Sequence, residues 1–258
     1  MAARKDSILP VLSYQSTARM WMQKRESSDN VFAGQFYRTV GYDSCLIEAS
    51  NNKMLMNWIR HMEMLEWKRK AEIGEYQGVK KAVRLFMQEM IQEKVSNFEY
   101  DEQSGELIFV TSEGALPVRD LSAGYQSVIW MVLDIAYRMA LLNPQLLSDI
   151  RNTPGIVLID ELDMHLHPKW QWKIVNALKK TFPGVQFIAA THSPVIMASC
   201  KEEHLIKIDD EKNIIYEKTP YGLEINDILS ICQESGAIAE QVEKLIADFE
   251  NSITEGDL

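Results

Sequence analysis

The chain has 258 residues, 46% of them hydrophobic and 25% charged, which is the composition of a globular protein with ample length to bury a core. Its formal net charge of -10 argues against coating nucleic acid by charge alone. Lys68-Arg69-Lys70 and Lys80-Lys81 do gather positive charge in one region, where a solvated helix face is the simpler reading. Cys45, Cys200 and Cys232 have neither metal-ligand nor disulfide-framework spacing, the start carries no signal-like apolar stretch, and the apolar runs are broken by charge. These features predict a soluble chain in a reducing cytoplasm, with no membrane span.

In chain order, Ser7 to Tyr14 reads as a short buried strand, and the polar segment up to Ser50 shows no regular pattern. From Asn52 the period is helical. Met54, Leu55, Trp58, Ile59, Met62 and Leu65 share one face, Val79, Ala82, Val83, Phe86 and Met90 repeat the pattern in a second helix, and Gly74 and Gly78 punctuate the join. This predicts a helical hairpin over 52–95, read as an inserted arm or lid. The period then changes to two. Asn97-Phe98-Glu99-Tyr100 and Leu107-Ile108-Phe109-Val110 flank a Gln103-Ser104-Gly105 turn and predict a β-hairpin. A long helix is expected from Ser122 to Leu142, stopped by Asn143-Pro144. The aliphatic run Ile156 to Ile159 predicts a parallel strand buried on both faces. A helix opened by Pro168 and closed at Phe182-Pro183 follows, then a second buried strand from Val185 to Ala190. Strand, helix, strand is a right-handed crossover unit, which makes the region from Ser122 to Ser199 α/β. The tail predicts a hairpin (Leu205 to Ile208 with Ile214 to Glu217) and two amphipathic helices ending near Phe249.

Three motifs carry chemistry. The strand at Ile156 ends in Asp160-Glu161, two carboxylates at the carboxyl edge of a parallel sheet, where ligands collect. Asp160 can serve a magnesium ion through its water shell, and Glu161 can orient and deprotonate a water attacking a γ-phosphate. The pair can equally terminate a strand and cap its turn. Leu121-Ser122-Ala123-Gly124 opens a helix. Ser122 can cap it, and Gly124 can leave backbone N–H groups bare for an anion, though an ordinary N-cap with a permissive glycine reads the same way. In Thr191-His192-Ser193-Pro194 a neutral His192 can donate to a phosphate oxygen or be a satisfied structural histidine. His165 and His167 beside Asp160, Glu161 and Asp163 suggest a transition-metal cluster only weakly, because a third well-spaced ligand is lacking. Trp170 and Trp172 read as packing residues.

The order of these motifs resembles the C-terminal half of ABC-class ATPases. Asp160-Glu161 leading into Leu166-His167-Pro168 resembles the cytoplasmic AAA-type, SMC-like members and not the transporters. Residues 9–21, 121–144 and 154–199 are similar to the predicted ATP-binding family of bacterial defence and virulence loci, including retron-associated and Septu-type anti-phage ATPases. The resemblance implies an α/β, P-loop NTPase-like parallel-sheet core, with signature, acidic strand and switch histidine over 115–200 and a hairpin with helices over 201–258. It implies ATP and Mg2+ as ligands and a dimer whose sites are completed in trans. In that family pattern Ser122 and Gly124 contact the γ-phosphate of ATP on the opposite subunit. Asp160 serves magnesium, Glu161 is the general base, His192 senses the γ-phosphate, and Asp163 occupies the loop coupling the two sites. The departure is the phosphate-holding loop, since no Gly-Lys dipeptide occurs in the sequence. The chain therefore reads as an N-terminally shortened member over 1–258, with weak or no hydrolysis on its own. The alternative is a non-catalytic module that pairs with an ATPase or with an effector nuclease or toxin. Nucleic-acid binding through the helical arm rests on analogy alone.

Overall fold

The computed structural model describes residues 7–20, 37–47, 52–91, 97–111, 114–208 and 211–232. The chain forms two compact units, residues 1–192 and 193–258.

The first unit is built on a parallel sheet of three strands in the order β1 (Val11–Gln15), β5 (Gly155–Ile159), β6 (Val185–Ala189). The expected α/β core with parallel strands is present. β1 begins at Val11 and not at Ser7, because Pro10 has no N–H to give a ladder. Helix α3 (Ala123–Leu142) crosses one face of this sheet. Beneath it lie Val11, Ser13, Gln15, Val157 and Ile159, all buried. The opposite face carries Ile156, 40% exposed, and Ile188, 48% exposed. The expectation that β5 and β6 are buried on both faces is therefore corrected. Among the described residues their helices cover one face, and β6 is an edge strand with Gln186, Ile188 and Ala189 exposed.

Helix α3 is apolar almost all round, and the two charges inside it are paired. Asp134 Oδ2 accepts from Arg138 Nε at 2.9 Å, from Gln15 Nε2 at 2.8 Å and from Ser13 Oγ at 3.1 Å. Arg138 Nη1 donates to the carbonyls of Gly41 and Asp43, at 3.0 Å each. At the far end, Asn143 donates to Leu9 O and accepts from Leu9 N, holding β1 like a neighbouring strand. One helix thus fixes β1 at both ends.

The predicted helical hairpin is α1 (Asn52–Arg69) and α2 (Gly74–Ile91). Gly78 lies inside α2 and does not punctuate the join. A Cβ there would meet Leu147 O at 2.8 Å and Ile150 Cγ1 at 2.7 Å, so its job is to admit the 144–152 turn against the helix. Trp58, Tyr76 and Phe86 are fully buried, with Trp58 edge-on to Tyr76 and to Tyr137 of α3. The hairpin also leans on an antiparallel sheet of β2 (Asn97–Asp101), β3 (Glu106–Thr111) and β4 (Gly114–Pro117). The third strand was not expected.

Glu63 ties α1 to this sheet. Its carboxylate accepts the Tyr100 N–H at 3.0 and 3.1 Å and the Tyr76 hydroxyl at 2.8 Å. Burial pushes its pKa up, against the lowering effect of those hydrogen bonds and of Lys80. Folding thus favours the protonated carboxyl relative to the unfolded chain. The group's stability contribution is full below its ordinary value of 4.5 and is lost as pH rises through the raised value. Glu63→Gln keeps an acceptor without the charge. Thermal melts at pH 5 and pH 7.5 should differ less in the variant than in the parent, with the gain in stability on the neutral side.

The second unit contains α5 (Pro194–Ser199), the antiparallel pair β7 (His204–Ile208) and β8 (Ile214–Lys218), and α6 (Ile225–Cys232). The hairpin and the first tail helix are present, and the second predicted helix lies outside the described residues. Ser193 caps α5, its Oγ accepting from Ile196 N at 3.2 Å. No helix among the described residues is long and apolar enough to cross a membrane.

Candidate functional site

The candidate site is the loop from Asp160 to His167, which leaves the carboxyl end of the central strand β5 and enters α4 (Pro168–Thr181). Both neighbouring strands hold its first residues. The Asp160 N–H donates to Gln15 O of β1 at 2.8 Å, and the Leu162 N–H donates to Ala190 O, just past β6, at 2.9 Å. Buried Leu162 and Leu166 pin the loop from below. Two tight turns follow, closed by Met164 N to Glu161 O and by Leu166 N to Asp163 O, both at 3.0 Å.

This compact path forces Glu161 to φ +43° and His165 to φ +63°, the left-handed region that disfavours side chains with a Cβ. Glu161 is exposed, while Asp160 and Asp163 are half-buried. His167 is the N-cap of α4, its Nδ1 accepting the Lys169 N–H at 3.2 Å, and Pro168 occupies the first turn where no donor is needed. The imidazole of His167 is thereby engaged in capping.

Asp163 reaches across to the end of β6. Its Oδ1 accepts the Thr191 hydroxyl and the His192 N–H, the latter at 3.2 Å. The loop and the histidine-bearing segment are thus joined directly, with His192 itself exposed.

The start of α3 meets the same loop. Gly124 is buried, and a Cβ on it would stand 2.4 Å from His165 O, so only glycine lets the helix approach this closely. This close approach seats α3 on the 160–167 loop, a packing reason for glycine that stands beside its expected place at an anion-binding helix start. Tyr125 packs edge-on to Trp170 at a centroid distance of 3.9 Å, extending the contact onto α4. Trp170 is the expected packing residue, but Trp172 is 48% exposed and departs from that reading. Ser122 stands at the N-cap position, exposed, with extended backbone and no side-chain capping bond, so the expected cap is not made.

Two residues that motif reading passed over contribute to the site. Gln15 is buried, its side chain turned inward to Ser13 and Asp134, while its carbonyl holds Asp160. Thr191 anchors Asp163. A polar residue ending an apolar strand is the one signal that marked Gln15. Among the described residues no group of three or more His, Cys, Asp or Glu surrounds a possible metal position. A single carboxylate at a strand end suits Mg2+, which keeps its waters and takes phosphate oxygens, better than it suits a metal held in a protein cage.

The sequence profile of a family described as AAA ATPase domain matches residues 47–197. A retron Vc95 probable ATPase from Vibrio cholerae is 33% identical over 192 residues, covering 71% of this chain and 36% of that protein. A retron Ec83 probable ATPase from Escherichia coli is 40% identical over 43% of this chain and 20% of its own length. Septu protein PtuA from Bacillus thuringiensis is 31% identical over 58% of this chain and 40% of its own. The chain therefore spans between a fifth and two fifths of these relatives. Among solved structures, an SMC ATPase superposes at TM-score 0.40 with 13% identity, over 67% of this chain and 96% of that one. The SMC head domain from Thermotoga maritima superposes at TM-score 0.38 with 16% identity, over 55% of this chain and 48% of that one.

Proposed function

This chain belongs to the AAA ATPase domain family, and from that premise we propose that it supplies the hydrolytic half of a Mg2+-dependent ATPase site. The observation that carries the reading is the 160–167 loop, held between β1 and β6 with Asp163 bonded to the His192 backbone, so that both acids and the histidine belong to one constellation.

In this reading Asp160 would hold a Mg2+ ion, which would supply charge neutralisation to the phosphates. Glu161 takes a proton from the attacking water as its oxygen bonds to the γ-phosphorus and the bond to the β-phosphate oxygen breaks. ADP and phosphate are the products. His192 donates to a γ-phosphate oxygen. Ser122 and Gly124 contact the γ-phosphate of ATP on an opposite subunit in a two-fold dimer, and Asp163 relays between the sites. No Gly-Lys dipeptide occurs in the 258 residues, so in this reading the phosphate-holding loop would have to be supplied by other polypeptide. The likeness to retron and Septu proteins supports a place in bacterial anti-phage defence, with an effector nuclease or toxin as partner.

The same missing dipeptide favours a second reading, a non-catalytic module that pairs with a complete ATPase. One assay separates the two. ATP binding by calorimetry and phosphate release, both with Mg2+, are measured on this chain alone and on a polypeptide that also carries a phosphate-holding loop. Turnover should be weak or nil in the first and restored in the second. No turnover in the second leaves the module reading.

A further inference from the structure

We propose that Thr191 is a positioning residue for His192, acting through Asp163. The inference rests on the reading that His192 meets the terminal phosphate, and it adds a residue to that site.

Three observations support it. The Thr191 hydroxyl and the His192 N–H donate to the same oxygen, Oδ1 of Asp163, so one carboxylate oxygen fixes two successive residues. The Leu162 N–H, one residue before Asp163, donates to Ala190 O, one residue before Thr191. The two segments are thus laced at adjacent positions, and neither can shift along the other without breaking all three bonds. Finally, His192 is exposed while Thr191 and Asp163 are half-buried, so the chain is held one residue behind the group that must face the ligand.

A threonine suits this task. Its branched Cβ limits χ1, and its hydroxyl supplies a charge-assisted bond that valine, its near-isostere, cannot make. The consequence for chemistry is geometric. The imidazole's reach depends on where the His192 backbone stands, and a small displacement of a phosphate-contacting group reduces turnover strongly without removing ground-state binding.

The test uses Thr191→Val, with Thr191→Ser as rescue and Thr191→Ala as a second hydroxyl-free variant should valine disturb folding. On this chain, amide hydrogen exchange at His192 should quicken by roughly 10-fold in the valine and alanine variants and return to the parent rate in the serine variant. The Ala190 amide, bonded to Ile159 O at 2.8 Å, serves as the internal control and should not change. In the polypeptide carrying the phosphate loop, kcat should fall about 10-fold with KM for ATP within about twofold, and serine should restore it. Unchanged exchange at His192 overturns the clamp, and faster exchange with unchanged kcat overturns its role in positioning. A parent protein without turnover defeats the ATPase reading instead, and the exchange result still decides whether Thr191 holds His192.

Discussion

Replacing Glu161 by glutamine is expected to lower ATP turnover by roughly 10²–10⁴-fold in a polypeptide that joins this domain to a phosphate-holding loop. Affinity for ATP should stay within about threefold, because a residue that acts on the proton in transit contributes little to ground-state binding. Glutamine matches the carboxylate in size and can still orient a water, but it cannot accept the proton. The substitution keeps Asp160, the 160–167 turns and the link to His192 in place, since the loop is held by backbone bonds to Gln15 and Ala190 and by the Asp163 carboxylate. Unhydrolysed ATP should then hold the dimer together, seen as a persistent dimer in size-exclusion chromatography with Mg2+ and ATP. Phosphate release at the parent rate would remove Glu161 from the role of base.

The second large effect concerns the buried pair beneath the sheet. Asp134→Ala is expected to destabilise the first unit by about 3–5 kcal/mol, read from the midpoint of urea unfolding. The side chains of Asp134 and Arg138 are 9% and 6% exposed, so truncation leaves a guanidinium in the interior without its counter-charge. It also removes the acceptor that Ser13 Oγ and Gln15 Nε2 share, leaving Gln15 Nε2 only its bond to Ser13 Oγ. Replacing both charges together, by leucine and methionine, should recover much of the loss, because a buried pair removed whole costs far less than one half of it. A fall of under 1 kcal/mol for Asp134→Ala would show that the pair is hydrated and contributes little. The effect should reach the candidate site as well, since Gln15 holds the Asp160 N–H through its carbonyl and is itself held by Asp134.

Much of this arrangement was legible in the chain. Asn143-Pro144 stops α3, Pro168 and Phe182-Pro183 bound α4, and period-two runs mark β2 and β3, because each of these signals acts locally on the backbone. What escaped depends on distant partners. Gly114-Ala115-Leu116-Pro117 has no alternation to mark it as a strand and becomes one only by pairing with β3. Gly78 looked like punctuation, yet it answers to the 147–150 segment brought from elsewhere in the chain, and the close approach of His165 to Gly124 was equally invisible. Asp134 and Arg138, four residues apart in an otherwise apolar helix, did carry a readable signal of a buried pair. Nothing in the sequence pointed their other hydrogen bonds to Gln15, Gly41 and Asp43. For the site, the acidic strand end and the histidine were evident from their motifs. Their lacing through Thr191 was not, since threonine before a histidine is unremarkable until the fold sets it against Asp163.

If Glu161 is the proposed base, its left-handed backbone sets protein stability and chemistry in opposition at one position. Glycine, or asparagine at lower benefit, would adopt φ +43° more readily and relieve strain of order 1 kcal/mol. Either exchange also deletes the carboxylate. On the proposed role, the strain is the cost of keeping a proton acceptor at this turn, and Glu161→Gly would trade that acceptor for stability.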